Sequence, residues 1–249
     1  MKYIAPVYYR EFHCIAGACR HTCCAGWEID IDEERLADYR SDPLIAPQID
    51  ETDSPHFRLL EGERCPFLNG DGLCELILRR GEDALCQICR DHPRFRNYWS
   101  DRTEIGLGLV CEEAARLILS RKEPMRLIVL SDDGCDGEPD EDEAWLMDLR
   151  DEMLSQIAET GPRARLMEYL IYRHLPNALY DDRVEERIAF IRRSFETIIN
   201  AWAKTDGSLE ALAECARIWS YDTEYDDEAL EAALSGDEAE IITTEREIE

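Results

Sequence analysis

The stretch Cys14-Ile15-Ala16-Gly17-Ala18-Cys19-Arg20-His21-Thr22-Cys23-Cys24 puts four thiols into eleven residues, and its reading decides how the rest of the chain is understood. Five more thiols follow by residue 111, at Cys65, Cys74, Cys86, Cys89 and Cys111, and beyond them only Cys135 and Cys215 complete the total of eleven. Cysteines used as ordinary small core residues would be spread evenly. Here they are concentrated in one half of the chain, which points to a shared chemical task.

Disulfides, a metal or iron–sulfur site, and a set of unrelated buried thiols compete to explain this. Disulfide frameworks suit small secreted domains, whereas this chain has an odd cysteine count and opens Met1-Lys2-Tyr3-Ile4-Ala5-Pro6 without an apolar signal core. The expected compartment is therefore cytoplasmic and reducing. Neighbouring residues also resist bridging, because consecutive Cα atoms are about 3.8 Å apart and a disulfide usually requires roughly 4.4–6.8 Å. Cys23 and Cys24 thus read as two separate ligands. A buried free thiol is often inert, but that explains single cysteines better than a concentrated set.

Composition narrows the function classes. The 249 residues carry 28 basic and 56 acidic side chains, a net charge of −28 with neutral histidines, which argues against a surface that tracks nucleic-acid phosphates. A lysine-bearing partner is the natural complement. No apolar run approaches the roughly 18 residues of a membrane helix, so no membrane partner is expected.

Around the first cysteines, small residues (Ala16, Gly17, Ala18, Ala25, Gly26) let backbone wrap closely about a compact centre. Trp27 to Ile31 alternates like a short strand, and Asp32 is placed to cap a helix through about Tyr39. Prolines 43, 47 and 55 mark residues 41–63 as a long loop. Asn69-Gly70-Asp71-Gly72 predicts a tight turn that brings Cys65 and Cys74 together. Cys74 opens a short helix ended by Gly81, and Cys86 and Cys89 fall one turn apart on one face. Phe95–Trp99 and Thr103–Val110 read as a hairpin across Ser100-Asp101. Cys111 then starts a helix to Ser120, where the dipole favours a thiolate.

Past Glu123 the character changes. Met125–Leu130 reads as a strand, and the acid-rich residues from Asp132 to Glu143 read as a solvated linker. Two stripes follow, one of Met167, Leu170, Ile171, His174, Leu175 and Ala178, the other of Val184, Ile188, Ile191, Phe195, Ile198 and Trp202; both have the spacing of a helix-bundle core, and His174 belongs to that core. Helices are also expected over Ser208–Tyr221 and Asp226–Ser235. The predicted fold is mainly α: a cysteine-rich N-terminal half with short helices and a small β-hairpin around a metal centre, followed by a helical bundle. Its parts are a cysteine-cluster domain at 1–122, an acidic linker at 123–143, a helical domain at 144–236 and an acidic tail at 237–249. Gly106-Leu107-Gly108 lacks the third glycine of a dinucleotide fingerprint, and no P-loop, nucleophile elbow, zinc-protease helix or radical adenosylmethionine triad is present.

The series Phe12-His13-Cys14, Cys19-x3-Cys23-Cys24-Ala25-Gly26-Trp27, Cys65-Pro66-Phe67-Leu68, Gly72-Leu73-Cys74, Cys89-Arg90-Asp91-His92-Pro93-Arg94 and Leu109-Val110-Cys111-Glu112-Glu113-Ala114-Ala115-Arg116 resembles the flagellin lysine-N-methylase (FliB) family. That family is related to cysteine-cluster proteins thought to chelate zinc or iron. Ala216-Arg217-Ile218-Trp219-Ser220 and Glu224-Tyr225 are similar to its helical C-terminal part. The resemblance implies a cytoplasmic enzyme with a 4Fe-4S cluster that transfers methyl from S-adenosylmethionine to surface lysines of flagellin. It implies eight metal-binding thiols, Cys14, Cys19, Cys23, Cys24, Cys65, Cys74, Cys89 and Cys111, and leaves Cys86 outside the pattern, so that Cys86→Ser is expected to keep the metal. Four thiolates satisfy one cubane, and spacing alone does not select four of the eight. His13, His21 and His92 flank cysteines, which keeps zinc as the alternative metal, although each histidine reads better as a hydrogen-bond partner of a ligand. Asp30, Asp71 and Asp91 are carboxylates near the thiols, and none is assigned a catalytic role. The other function class is a non-catalytic chelating or sensing module.

Overall fold

Extended backbone at Lys2–Pro6 is the second-last strand of a four-stranded sheet in the computed structural model, which describes residues 1–134 and 137–236. The strand order is Arg94–Tyr98, Arg102–Leu107, Lys2–Pro6, Leu127–Asp132. Lys2 lies opposite Arg102 in a parallel pairing and opposite Asp132 in an antiparallel one. The expected hairpin therefore forms, but as part of this sheet and not around the cysteines. An isolated two-stranded hairpin is marginal in water, and Lys2–Pro6 and Leu127–Asp132 extend it.

Two compact units result, one made of Met1–Phe12 with the chain from Phe95 onward, the other of His13–Arg94. In the first, the two predicted stripes face the core, with Leu170, Ile171, His174, Leu175, Ala178, Ile191 and Ile198 buried and Met167, Val184, Ile188, Phe195 and Trp202 packed against them half-buried, on helix Pro162–His174 with the turn after it and on helix Val184–Trp202. Leu109, Leu119, Leu166, Leu170, Ile191, Ile198, Leu212 and Ala216 are fully buried between these helices, helix Glu112–Leu119 and helix Leu209–Trp219. Ser208 and Asp226 cap their helices by accepting from the amides of Ala211 and Ala229. Helix Leu209–Trp219 then widens into a π-turn, Ser220–Glu224.

Residues 123–143, read as an acidic linker, hold the strand Leu127–Asp132 and end in a reciprocal cap of helix Glu141–Ser155: Glu143 N donates to Asp140 Oδ1 at 2.9 Å, and Asp140 N donates to Glu143 Oε2 at 3.2 Å. The other oxygen of Glu143 accepts from Ser100 N at 2.8 Å, so the cap also fixes the hairpin turn. Local acid content gave no sign of these distant partners. Cys135 and the tail at 237–249 lie outside the described residues.

Gly106 owes its place to close packing. A Cβ there would fall 2.1 Å from Phe95 Cζ, within the ring that stands under the Arg173 guanidinium. Beside it, Glu104 is fully buried and takes Arg150 on both oxygens at 2.6 and 3.0 Å, with Arg102 Nε at 3.0 Å.

The His13–Arg94 unit has little regular structure. Asp32 caps helix Glu33–Ser41 as predicted. The alternating Trp27–Ile31 segment makes only an isolated bridge between Asp30 and His56, and the long loop contains a short ladder of Ile49–Asp50 with His56–Phe57. Its core is Ile29, Ile31, Leu36, Tyr39, Ile45, Ile49, Phe57, Phe67, Leu76 and Leu85, with the Phe57 ring 5.6 Å from Tyr39 and 5.0 Å from Phe67. Cys65 and Cys86 are buried members of that core.

Removing a buried carboxylate strands its cations, which typically costs about 3–5 kcal/mol. Glu104→Ala is expected to destabilise the sheet-bearing unit by that amount, measured by urea unfolding, while the double variant Glu104→Leu with Arg150→Met recovers most of the loss.

Candidate metal centre

Three local devices bring thiols to the small aromatic core. The first is the turn after Cys65, in which Asn69 Oδ1 accepts from the amides of Asp71 and Leu73 at 3.0 and 2.9 Å and Asn69 Nδ2 donates to Glu75 at 3.0 Å. It closes with a bridge between Leu68 and Cys74, placing Cys74 just before helix Glu75–Arg80. The second is the backbone bond from Cys65 N to Cys24 O, 2.8 Å, which ties the first cysteine loop to this turn. Gly17 belongs to the same approach, since a Cβ there would meet the carbonyl oxygen of Asp71 at 2.7 Å. At Gly17 the absence of a side chain is needed for this contact.

The third device fixes Cys86 and Cys89. Asp32 Oδ1 accepts from Arg35 N at 3.1 Å, and Oδ2 accepts from Gln87 N at 2.6 Å, so one carboxylate caps helix Glu33–Ser41 and holds the start of helix Gln87–Asp91. Burial alone would raise its pKa, but these amides outweigh it and keep it below the usual carboxylate range. Tyr39 OH donates to Ala84 O at 2.6 Å from the other side. Cys86 is fully buried between these anchors, and its Sγ stands 3.5 Å from that of Cys89.

Cys24, Cys65, Cys74, Cys86 and Cys89 therefore share one apolar core, Cys24, Cys74 and Cys89 packing against it from the half-buried side. Their ionisation is interdependent. Burial pushes Cys65 up to about 12, reinforced by Cys24, Cys74 and Cys86, and also raises Cys74. The hydrogen bond with Cys89 draws Cys86 down, and the same contact pushes Cys89 up. Cys24 is lowered to about 7 by its contact with the Cys23 thiol, against burial.

The other family-pattern thiols are placed differently. Cys14 and Cys23 are exposed, Cys14 Sγ accepting from Ala16 N at 3.4 Å. Cys19 is half-buried and donates to His21 O at 3.2 Å. Cys111 belongs to the sheet-bearing unit, where it precedes helix Glu112–Leu119. Of the flanking groups, His13, Asp30 and Asp71 are exposed. His92 is half-buried, its ring 5.5 Å from that of Trp27. Among the described residues, no three His, Cys, Asp or Glu side chains stand where they could share one metal ion, and no disulfide is formed.

The sheet-bearing unit has a polar centre that sequence reasoning treated as plain core. Glu224, on the π-turn, accepts from Tyr169 OH at 3.0 Å and pairs with His174 Nε2 at 2.7 Å and Arg173 Nε at 3.1 Å. Burial alone would raise its pKa, but Arg173, His174 and Ser220 outweigh it and hold the carboxylate below its usual range. Tyr169 OH also accepts from Leu109 N at 3.2 Å, close before Cys111 in the chain. The Glu224-Tyr225 pair in the sequence was the available signal.

The chain is similar to lysine-N-methylase of Salmonella choleraesuis (strain SC-B67), 29% identical over 136 residues, and equally to that of Salmonella typhimurium (strain LT2), each alignment covering 49% of this chain and 33% of the relative. It is also similar to flagellar biosynthetic protein FliU of Salmonella muenchen, 26% identical over 134 residues, covering 49% of this chain and 79% of that protein. The alignment thus spans about a third of the length of the two lysine-N-methylases. No family profile and no solved structure matches the chain. The resemblance to FliB-like proteins therefore holds over about half of the sequence.

Burial, with Arg94 nearby, lowers His92 to about 4 from an ordinary 6.5, so the folded unit keeps the ring neutral. The unfolded chain takes up the proton first as pH falls. The stability from His92 is complete above pH 6.5 and is withdrawn between 6.5 and 4, on the order of 3 kcal/mol. His92→Phe, which keeps a ring beside Trp27, is expected to flatten this part of the acid loss, followed by hydrogen exchange in residues 13–94 of wild type and variant from pH 7 to 4.5.

Proposed function

We propose that the chain is an iron–sulfur protein-lysine N-methyltransferase that moves methyl from S-adenosylmethionine to surface lysines of flagellin. Its similarity to two Salmonella lysine-N-methylases carries this reading, and the flagellar name of the third relative supports the substrate. In the transfer, the lone pair of a neutral lysine amine forms the new N–C bond while the methyl–sulfur bond breaks. S-adenosylhomocysteine leaves, and the amine surrenders a proton to a base or to water.

The thiols that would hold an iron–sulfur cluster in this reading are those that pack against one core. Cys24, Cys65, Cys74 and Cys89 are the four family-pattern thiols around one core, and one cubane takes four thiolates. When bound, it would supply a redox-capable cross-link between the first cysteine loop, the Cys65–Cys74 turn and helix Gln87–Asp91. Zinc is the alternative occupant. Among the described residues no helix is long and apolar enough to cross a membrane.

The net charge of −28 suits a lysine-bearing partner and disfavours nucleic acid. Such charges act mainly on encounter rate and are screened by salt.

Incubation of anaerobically purified protein with labelled S-adenosylmethionine and flagellin, read by mass spectrometry, is expected to show methyl gain on flagellin lysines. Turnover should fall as salt rises from about 0.05 to 0.5 M, where the Debye length shrinks well below 10 Å. Lysine-to-arginine flagellin should still dock yet accept no label, because arginine keeps its charge and offers no neutral amine. No lysine mass gain from metal-loaded protein sinks the transferase reading and leaves the chelating module.

A further inference from the structure

A small cleft within the sheet-bearing unit is lined by two guanidiniums and one carboxylate, those of Arg121, Arg165 and Glu168, with Tyr8, Met125 and Tyr169 beside them. Three parts of the chain meet there. Turn Val7–Glu11 carries Tyr8, Arg121 follows helix Glu112–Leu119, and helix Pro162–His174 carries Arg165, Glu168 and Tyr169. Both oxygens of Glu168 are already engaged, Oε1 with Arg165 Nη2 at 2.9 Å and Oε2 with the donating amide of Met125 at 3.1 Å. Arg165 is only 3% exposed, yet its Nε and Nη1 have no hydrogen-bond partner, and neither does the buried Nε of Arg121. The Arg121 guanidinium lies over the Tyr8 ring, 5.2 Å from its centre.

Buried donors on charged groups are costly to leave unmade, and one carboxylate between two guanidiniums leaves a positive charge unbalanced. Water satisfies donors and leaves the charge; an anion answers both. The chain as a whole carries −28, so a positive cleft runs against its general field. Size narrows the occupant further. The empty space is about 190 Å³ counted to the open mouth, but only about 10 Å³ of it admits the centre of a water-sized group. That room takes one atom of such size at a time, which suits a halide or the leading oxygen of a carboxylate and not a tetrahedral phosphate.

We propose that this cleft binds one small monovalent anion, a carboxylate or a halide, through the unpartnered donors of Arg165 and Arg121. Seating it takes a small adjustment of the half-buried Arg121 side chain. Glu168 holds Arg165 in place and leaves its remaining donors to the anion. The site depends neither on methyl transfer nor on a metal.

The test uses the full chain in a buffer free of halide and carboxylate, titrated at matched ionic strength with sodium formate, sodium chloride or sodium phosphate. Binding is read from the NMR line widths of formate carbon and of chloride, and from the rise in the unfolding midpoint that a ligand of the folded state produces. Saturable binding of formate or chloride is expected in wild type, weakened about ten-fold or more in Arg165→Gln and in Arg121→Gln, as the loss of a charge-assisted hydrogen bond requires. A response to formate alone assigns the site to a carboxylate, and a response to both assigns it to either kind of ion; each supports the proposal. The double variant Arg165→Met with Glu168→Leu removes the pair without stranding a charge, so it keeps the test valid where Arg165→Gln fails to fold. Wild-type affinity in that double variant overturns the proposal. So does phosphate binding tighter than formate and chloride, and a folded wild type with no saturable response leaves the cleft to water and overturns it as well.

Discussion

The gathering of five thiols against the Tyr39–Phe57–Phe67 core is the constraint on which the His13–Arg94 unit depends. Helices Glu75–Arg80 and Gln87–Asp91 are far shorter than the roughly 12–15 residues at which an isolated helix becomes even marginal in water. The two-residue ladder of Ile49–Asp50 with His56–Phe57 adds little. Such a unit is held by its small core and by side chains that bridge distant backbone, of which Asp32 is the clearest, since one carboxylate serves two helix starts. Small units of this kind commonly rely on a metal or on disulfides to constrain the unfolded chain. The described cysteines form no disulfide.

The sheet-bearing unit solves a different problem, the placement of charge inside a conventional core. Glu104 with Arg102 and Arg150, and Glu224 with Arg173 and His174, bury carboxylates that would be costly alone and are tolerable because each is met by cations and further donors. Both sets tie elements far apart in sequence, the first linking a strand to helix Glu141–Ser155, the second linking helix Pro162–His174 to the π-turn. π-Turns of this type recur at functional sites, and this one carries Glu224 into the buried centre shared with Arg173 and His174.

The thiol unit and the polar centre of the other unit divide the family-pattern residues between them. Cys24, Cys65, Cys74 and Cys89 gather on one core, whereas Cys111 and Glu224-Tyr225 belong to the other unit. A linear cysteine pattern therefore carries more than one physical role. Exposed Cys14 and Cys23 keep the loop's sulfur in reach of solvent, and the buried thiols lie where water is excluded.

The sequence by itself determined whatever depends on neighbours within a few residues: the Asn69 turn, the Asp32 cap, the helices that begin at Ser208 and Asp226, the stripe of helix Val184–Trp202, and the cysteine series that marks the likeness to lysine-N-methylases. These follow from short-range hydrogen bonding and from helical period, which a linear string records. Only the tertiary structure decided that the hairpin pairs with Lys2–Pro6, that Glu143 holds the Ser100 turn, and that Cys86 joins the thiols while Cys14 and Cys23 stay outside the core. The reason is the same in each case. Glu143 is 43 residues from Ser100, and Gln87 is 55 from Asp32, so their pairing is set by which buried polar groups the packed core leaves to be satisfied, and no local spacing encodes that.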